Sequence, residues 1–369
     1  MALLVNARLE PFRNDPPREV CVLRLSAIGD TCHALPVVRT LQRAWPGTRF
    51  TWVIGRTEAS LMSGIDGVEL VALDKSAGAG GFMDLRRRVA ASRFDLLLMM
   101  HASLRANLAS LMIRARVRLG WDRSRAREFQ YLISDARIAA RTREHVMDAL
   151  FGFAEALGIR ERLLRWDIPV SNDDRAFASR HIPGGSRTLV ISPCASQRFR
   201  NYRNWRVENY AAVAEHAASV HGARVILTGG STPQEAHYAE GICRLARRSA
   251  PLNLVGKTTL KQLLALLDRA DVLVCPDSGP AHMATAAGTP VIGLYATTNP
   301  FRARPYLSQR WVVDRYPDAV KMEYGKDVDK VPWGTRVRDP DAMDLIKVED
   351  VTARLDEFFA SSTPAEVRA

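Results

Sequence analysis

The chain has 369 residues, and 52 Lys plus Arg against 40 Asp plus Glu give it a formal net charge of +12. This length exceeds one ordinary domain, so we expect two. A hydrophobic fraction of 47% without a long polar tract indicates a globular protein. No apolar run approaches the roughly 20 residues of a membrane helix, and the N-terminal segment lacks the basic-then-apolar layout of a signal peptide.

The positive charge favours an anionic partner such as a phosphorylated lipid, a nucleotide, nucleic acid or a membrane surface. Nucleic acid is the weakest of these, because the basic charge is dispersed and no recognition motif is present. Five cysteines, none in a Cys-x-x-Cys pair, indicate reduced thiols and no structural zinc. No Cys/His cluster has metal-ligand spacing, so we expect neither a metal nor another cofactor.

Buried strands alternate with helices through the first half of the chain. The predicted strands are residues 20–25, 50–55, 68–73, 94–100 and 117–121. The predicted helices are residues 31–45, about 104–114 and 143–158, and residues 76–81 are predicted as a flexible turn. This alternation predicts a parallel sheet covered by helices on both faces.

The second half repeats this plan after a polar, proline-containing stretch at residues 169–185, which is the predicted boundary between domains 1–170 and 171–369. Strands are expected near residues 189–192, 225–228, 252–255, 272–275 and 291–295, and helices near 207–221, 233–248 and 260–269. Residues 315–344 are expected to be irregular. An amphipathic terminal helix is expected at about residues 348–360. The predicted fold class is α/β, with two doubly wound Rossmann-like domains.

The segment DVLVCPDSGPAHMATAAGTPVIGLYATTNP, residues 271–300, carries the densest pattern. It predicts a buried strand, a tight turn, a short helix and a second strand. Asp277 lies at the carboxyl end of the strand, where open α/β sheets place ligand contacts. Ser278 and Gly279 open the helix, whose free amides and dipole favour a phosphate, and His282 follows one turn later. The alternative is a plain helix cap with a core histidine.

This segment resembles the donor-site signature of the ADP-heptose:lipopolysaccharide heptosyltransferases, glycosyltransferase family nine, which runs D-[ST]-G-x-x-H-x-A-x-A-x-G-x-P. The matching positions are Asp277, Ser278, Gly279, His282, Ala284, Ala286, Gly288 and Pro290. The resemblance implies the glycosyltransferase-B architecture, in which two such domains face one another across a cleft. It also implies that the terminal helix, about 348–360, can pack back on the first domain. It also makes Asp277, Ser278, Gly279 and His282 predicted donor-binding residues.

Residues 26–30, SAIGD, end the first strand and open the first helix. Gly29 permits the tight turn, and the helix dipole favours an ionised Asp30. The motif resembles the family's S-x-x-G-D, whose aspartate is the proposed general base, so Asp30 is the predicted catalytic residue. A helix cap is again the alternative.

Two further stretches of the second half resemble donor contacts of the family. Ser196 ends a P-x-A-S loop, and a basic residue before Trp205 is expected to neutralise the leaving diphosphate. The inserted residues QRFRNY leave open whether Arg198, Arg200 or Arg203 does so, with Arg203 preferred and solvated surface arginines as the alternative. Glu235 aligns with the nucleoside-site glutamate, although a glutamate at a helix start is equally suited to capping.

The acceptor is expected on the first domain. His101 and Arg105 follow the strand at 94–100, with a core histidine as the alternative for His101. A one-sign cluster comprises Arg114, Arg116, Arg118, Arg123, Arg125 and Arg127. We interpret Arg123, Arg125 and Arg127 as contacts to acceptor phosphates and to an anionic membrane surface. The alternative is a solubility patch.

The resemblance implies an inverting, metal-independent glycosyltransferase that moves heptose from ADP-heptose to the lipopolysaccharide inner core. It implies a cytoplasmic enzyme that is peripheral at the inner face of the bacterial inner membrane. One alternative is a family member with another nucleotide sugar or acceptor. Another is a non-catalytic protein of the same fold that binds nucleotide or lipid. The acceptor sugar, the precise donor and the oligomeric state stay open.

Overall fold

The computed structural model describes residues 7–197 and 199–361. The chain forms two compact units that divide between Pro169 and Val170. Each unit is built on a six-stranded sheet in which every neighbouring pair of strands is parallel. No helix of the described residues is long and apolar enough to cross a bilayer.

The first unit has the strand order β3-β2-β1-β4-β5-β6. Its strands are β1 Glu19–Arg24, β2 Arg49–Gly55, β3 Val68–Leu73, β4 Phe94–Leu98, β5 Ala115–Gly120 and β6 Ala136–Arg137. Its α-helices are Pro11–Asn14, Ile28–Ala44, Arg56–Met62, Gly78–Arg88, Leu104–Leu111, Gln130–Ile133 and Val146–Ala156, and Ala7–Leu9 is a 3₁₀ turn. The strand order reverses between β1 and β4, and such a switch point is where doubly wound sheets bind ligands.

The second unit has the order β12-β11-β10-β7-β8-β9, which reverses between β7 and β10. Its strands are β7 Thr188–Ile191, β8 Arg224–Leu227, β9 Leu252–Asn253, β10 Val272–Pro276, β11 Val291–Tyr295 and β12 Val313–Asp314. Its α-helices are Asn172–His181, Val207–His221, Pro233–Leu245, Leu260–Arg269, Gly279–Ala287, Pro300–Ala303, Tyr316–Tyr324 and Val348–Ser361. Short 3₁₀ turns lie at Gln309–Trp311, Val328–Lys330 and Ala342–Leu345. The predicted α/β class with two doubly wound Rossmann-like units is confirmed.

Buried strands explain why these sequences form parallel sheets. All five residues of β10 and of β11 are buried, as expected of strands covered by helices on both faces. Gly288 ends the intervening helix in the left-handed region at φ +81°, a conformation that glycine adopts without steric cost. The turn between two buried strands therefore exposes its ends at the edge of the sheet.

The structure corrects three local predictions. The stretch expected to be irregular contains the helix Tyr316–Tyr324, because Tyr316, Ala319 and Val320 pack into the core although their local pattern is weak. The expected interdomain stretch contains the helix Asn172–His181, which Ser171 caps by accepting the Asp174 amide at 3.1 Å. The expected flexible turn becomes helical from Gly78.

The terminal helix Val348–Ser361 packs within the second unit. Its residues Leu355, Phe358 and Phe359 belong to the same buried cluster as Tyr210 of the helix Val207–His221. The Trp205 indole N–H donates to the Ile346 carbonyl at 3.0 Å, just before the terminal helix begins. The apolar face of the terminal helix is thus part of the core of the second unit.

Candidate functional site

In the first unit, polar side chains gather at the carboxyl ends of β1 and β4. Asp30 is the third residue of the helix Ile28–Ala44, and its side chain is 34% exposed. Its Oδ2 accepts from Arg24 Nη2 at 2.6 Å and from the Ala27 amide at 3.1 Å. The amide contact is the capping role, but the guanidinium and the positive end of the helix also stabilise the carboxylate form that a base requires.

Arg24 is held in place beneath this carboxylate. It is 8% exposed, and its Nη1 donates to the Met100 carbonyl at 2.5 Å. A buried arginine at the end of an apolar strand is rare unless it is paired, and here the pair is with Asp30. Arg24 therefore ties the end of β1 to the residue that precedes His101.

His101 lies in the same group. Its Nδ1 accepts from the Leu25 amide at 3.3 Å, so a neutral ring carries its proton on Nε2. Burial, reinforced by the charges of Arg24 and Lys75 and opposed by Asp30, lowers the pKa of His101 to about 4. His101 is thus neutral near pH 7 and can donate one hydrogen bond, but it cannot supply a positive charge to a phosphate.

Lys75 and Glu58 complete this edge of the first unit. Lys75 Nζ donates to the Leu25 carbonyl at 3.0 Å and to Glu58 Oε2 at 3.0 Å. The Glu58 side chain is 6% exposed, so the ion pair is largely removed from water. Sequence reasoning overlooked Arg24, Lys75 and Glu58. The arginine inside an apolar strand run was a usable signal, whereas the lysine–glutamate pair had none.

The arginines expected to bind the acceptor do not form one surface. Arg105, Arg123 and Arg127 are exposed. Arg125, by contrast, forms ion pairs with Asp122 and Glu144, and its side chain is 22% exposed. Because it neutralises carboxylates, Arg125 has little capacity left for a phosphate, and the expected triplet is reduced to two exposed members.

The other three arginines of the cluster lie at the opposite edge of the sheet. Arg114, Arg116 and Arg118 line a cavity of about 580 Å³ with Arg93, at the amino ends of β4 and β5. Strand β5 has six residues, which span roughly 20 Å. The charge cluster seen in the sequence is therefore two separate groups.

In the second unit, the predicted donor turn follows β10. Ser278 stands at the N-cap position of the helix Gly279–Ala287, with φ −153° and ψ 169°. Its buried hydroxyl makes no capping hydrogen bond. The helix start is therefore not satisfied in the way that the plain-cap alternative requires, which leaves its first amides for a ligand. His282 is 8% exposed and lies in the first turn and a half of this helix.

Arg203 connects the donor turn to the Ser196 loop. Its Nη1 donates to the Asp277 carbonyl at 2.5 Å and to Asp277 Oδ2 at 3.1 Å. Its Nε donates to Asn201 Oδ1 at 2.7 Å, and Asn201 Nδ2 donates to the Ser196 carbonyl at 2.6 Å. The Arg203 side chain is 11% exposed, so it is not a solvated surface arginine.

Arg200, a second candidate for the diphosphate contact, differs from Arg203. Arg200 is exposed, has φ +51°, and its carbonyl accepts from Arg338 Nη1 at 2.9 Å. Arg198 lies outside the described residues. Asn201, in the insertion, was not predicted from the sequence, because only the folded loop reveals that it holds Arg203.

Glu235 closes a capping box at the start of the helix Pro233–Leu245. Its Oε1 accepts from the Gly230 amide at 2.6 Å, and its Oε2 accepts from the Thr232 hydroxyl at 2.6 Å. The capping alternative is thus realised in the geometry. A contact to a ribose would have to share these oxygens.

The amino-acid sequence of this chain is similar to those of known proteins. The sequence profile described as "Glycosyltransferase family 9 (heptosyltransferase)" matches residues 82–331. The chain is 39% identical to the lipopolysaccharide core heptosyltransferase OpsX of Haemophilus influenzae, over 94% of this chain and 98% of that protein. The chain belongs to glycosyltransferase family 9.

Solved structures share the fold of this family 9 chain. The glycosyltransferase family 9 protein of Veillonella parvula aligns with a TM-score of 0.74 at 20% identity, covering 94% of this chain and 98% of that one. The E. coli heptosyltransferase WaaC, solved with ADP-2-deoxy-2-fluoro heptose, aligns with a TM-score of 0.69 at 18% identity, covering 92% and 99%. The family predicted from the 277–290 signature is confirmed, and this family 9 chain is a glycosyltransferase. The roles of the individual side chains stay predictions.

Proposed function

We propose that this family 9 enzyme transfers heptose from ADP-heptose to a hydroxyl of the lipopolysaccharide inner core, with inversion at the anomeric carbon. The observation that carries the proposal is the 39% identity to a lipopolysaccharide core heptosyltransferase over nearly the full length of both chains. The WaaC structure, which was solved with an ADP-heptose analogue, supports the donor. The helix that follows β10 has no side-chain cap, so its first N–H groups suit the diphosphate of such a donor.

The donor diphosphate is assigned to the second unit. In the first turn of the helix Gly279–Ala287 the amides of Gly279 and Ala281 can donate to an anion at the helix start, whereas Pro280 has no N–H. The helix dipole adds to this attraction. Arg203 places a guanidinium beside the same turn through its two contacts to Asp277. These groups stabilise the negative charge that develops on the leaving ADP. The proposal therefore assigns no step to a metal ion.

The acceptor hydroxyl is assigned to the first unit. Asp30 takes the proton from the hydroxyl as its oxygen attacks the anomeric carbon. The bond from that carbon to the diphosphate breaks at the same time, and ADP leaves with the electron pair. Arg24 keeps Asp30 ionised and oriented until the transfer, and the neutral His101 ring can donate Nε2–H to an acceptor oxygen.

We place the enzyme at the inner face of the inner membrane as a peripheral protein. The exposed Arg105, Arg123 and Arg127 are suited to the phosphates of the lipid core and to anionic headgroups, since each basic residue near such a surface adds about 1 kcal/mol of attraction. No nucleic-acid partner is proposed.

A turnover assay tests this function. Purified enzyme is supplied with ADP-heptose and with core lipids truncated to different lengths, and product formation is followed by mass spectrometry. We expect one truncated core lipid to gain a single heptose. Transfer from a different nucleotide sugar only would favour another specificity in the family. ADP binding without turnover of any core lipid would favour a non-catalytic binding protein.

A further inference from the structure

A cluster of three potential metal ligands lies outside the proposed transfer site. His216 and His221 belong to the helix Val207–His221, and Asp356 belongs to the terminal helix. The Nε2 atoms of both histidines lie 2.6 Å from the same Asp356 Oδ1. The ligand atoms of all three residues are within 4.8 Å of one another. Among the described residues, this is the only such group of three.

The convergence depends on where the helix ends. Side chains five residues apart do not share a face of a regular helix. His221, however, is the last helical residue, and Gly222 follows it in the left-handed region at φ +62°. The two rings come to 5.7 Å between centroids, and the His221 ring rests against Phe359 at 4.8 Å. Packing therefore holds His221, 10% exposed, in one orientation.

We propose that His216, His221 and Asp356 bind one divalent first-row transition ion, with Zn²⁺ as the best match. Two imidazole nitrogens and one carboxylate oxygen form a donor set that zinc accepts in tetrahedral sites. The nitrogen ligands disfavour Mg²⁺ and Ca²⁺, which prefer oxygen, and the lack of a thiolate in the group disfavours soft ions such as Cu(I). The Asp356 side chain is 47% exposed, which leaves water access to a fourth position.

The present geometry needs only a small adjustment. Ligands about 2.0–2.2 Å from a tetrahedral zinc ion lie about 3.3 Å from one another. The two Nε2–Oδ1 separations of 2.6 Å are hydrogen bonds, so each has to open by less than about 1 Å as the ion replaces the shared protons. The ligand atoms all lie within 4.8 Å of one another, so the two histidine nitrogens need to move by no more than about 1.5 Å to reach the tetrahedral spacing. The partial exposure of Asp356 and His216 leaves room for this motion.

The ion would join two helices that are far apart in sequence. Asp356 lies 140 residues after His216, and both helices already share a hydrophobic contact. An ion that binds only the folded state stabilises it by RT ln(1 + [L]/Kd), so the stability rises with the logarithm of the free ion concentration once the site is saturated. The role is structural and independent of the proposed sugar transfer, whose residues follow β1, β4, β7 and β10.

Calorimetry on the tag-free full chain, stripped of metal with a chelator, tests the site. Titration with ZnCl₂ should give one ion per chain, and the melting temperature should rise by several degrees and fall again with EDTA. His216→Ala and His221→Ala should each weaken this binding at least tenfold. His237→Ala is the matched control, since His237 is exposed on another helix, and it should bind zinc like the wild type.

Two measurements keep the test decisive if a histidine variant folds poorly. Asp356→Asn preserves the shape of a half-exposed side chain and should still weaken zinc binding at least tenfold. Co²⁺ should give the intense visible bands of tetrahedral coordination in the wild type and lose them in Asp356→Asn. The proposal is overturned if the wild type shows no stoichiometric site below about 100 µM. It is equally overturned if binding is unchanged in His216→Ala, His221→Ala and Asp356→Asn.

Discussion

Replacing Asp30 by Asn removes the proposed base and changes little else. The asparagine carbonyl can still accept from Arg24 and from the Ala27 amide, both of which contact Asp30 Oδ2. Arg24 keeps its bond to the Met100 carbonyl, so the carboxyl end of β1 should retain its geometry. What disappears is the negative charge that takes the proton.

The magnitude follows from the role of this carboxylate. Loss of a positioned general base typically costs about 10²–10⁴ in rate, equivalent to about 2.7–5.4 kcal/mol of transition-state stabilisation. We expect kcat for heptose transfer to fall by that factor. The affinity for ADP should stay within about twofold of wild type, because the donor groups belong to the other unit.

Asp148→Asn is a matched control for this prediction. Asp148 is also the third residue of its helix, Val146–Ala156, and is paired with an arginine, Arg162, at 2.5 Å. The control removes a paired carboxylate at an equivalent helix position without touching the end of β1. Both variants are assayed for turnover and titrated with ADP by calorimetry. Near-wild-type kcat in Asp30→Asn, or an equal loss in Asp148→Asn, would refute the assignment of Asp30 as the base.

Four further predictions concern the metal, the donor, the acceptor and pH. Transfer should persist in excess EDTA, measured as turnover, because helix amides and an arginine neutralise the leaving diphosphate. Asp277→Ala and His282→Ala should each weaken ADP binding about tenfold or more, measured by calorimetry, and should affect acceptor binding less. Glu in place of both Arg123 and Arg127 should raise the acceptor KM and loosen binding to anionic vesicles, while ADP affinity stays constant. His101→Gln should reduce the loss of unfolding free energy that the protein suffers as the pH falls from 6.5 to 4. In the wild type His101 has a pKa of about 4 when folded and about 6.5 when unfolded, so over this range the unfolded chain binds a proton that the folded chain does not. This difference costs the wild type up to about 3 kcal/mol of stability.

Each of these predictions has an opposing outcome. Complete loss of turnover in EDTA, restored by magnesium or manganese, would contradict metal-independent transfer. Asp268→Ala changes a half-exposed carboxylate on a neighbouring helix, and an effect on ADP equal to that of Asp277→Ala would mean the donor turn is only structural. Unchanged vesicle binding in the double arginine variant would remove the acceptor surface. Chemical denaturation of His237→Gln is the control for pH, and a pH profile of His101→Gln that matches it and the wild type would contradict the His101 prediction.

Arg125 behaves differently from its two neighbours in the sequence. Hydrogen bonds from Ser124 and Arg125 outweigh burial and lower the pKa of Asp122, and the Asp122 side chain is only 5% exposed. Removing one partner of a buried ion pair costs about 3–5 kcal/mol, and the partial exposure of Arg125 reduces this. Arg125→Glu is therefore expected to lower stability rather than to weaken acceptor binding selectively.

Local patterns in the sequence predicted most of the sheet architecture. Local apolar patterns predicted every strand of the first unit except β6, and five of the six in the second. The pattern is clearest for strands such as β10 and β11, all of whose residues are buried, because a strand covered on both faces is apolar throughout. The two-residue strand β6 and the helix Tyr316–Tyr324 had no such pattern. The burial of Tyr316 depends on distant partners, and residue-by-residue preference does not record them.

Contacts between distant residues explain what the sequence could not predict about the candidate site. Arg203 and Asp277 are 74 residues apart, and Asp356 is 135 residues from His221. Spacing rules for metal ligands and catalytic groups apply to residues that are close in sequence. They therefore could not predict either of these contacts. Motif similarity located the predicted donor turn. It did not reveal that Arg203, which is largely buried, forms hydrogen bonds to Asp277 in that turn.

The two constellations occupy equivalent places in their own sheets. In the first unit, Asp30 follows β1 and His101 follows β4, the two strands at which the order reverses. In the second, the loop of Arg203 follows β7 and Asp277 follows β10, again the strands at the reversal. Loops diverge from one another at such a point and leave space for a ligand.

Each of these places also holds an arginine–aspartate pair, and the two aspartates differ in their exposure to solvent. Asp30 is 34% exposed and contacts Arg24 at 2.6 Å, so one guanidinium stabilises a carboxylate that a hydroxyl can still reach. Asp277 is 13% exposed and shares the Arg203 guanidinium between its side chain and its own carbonyl. Because Arg203 Nη1 contacts both Oδ2 and the backbone carbonyl of this largely buried residue, Asp277 is suited to fixing that arginine. The same pair of residue types is thus compatible with the proposed base in the first unit and with the proposed anion-binding turn in the second.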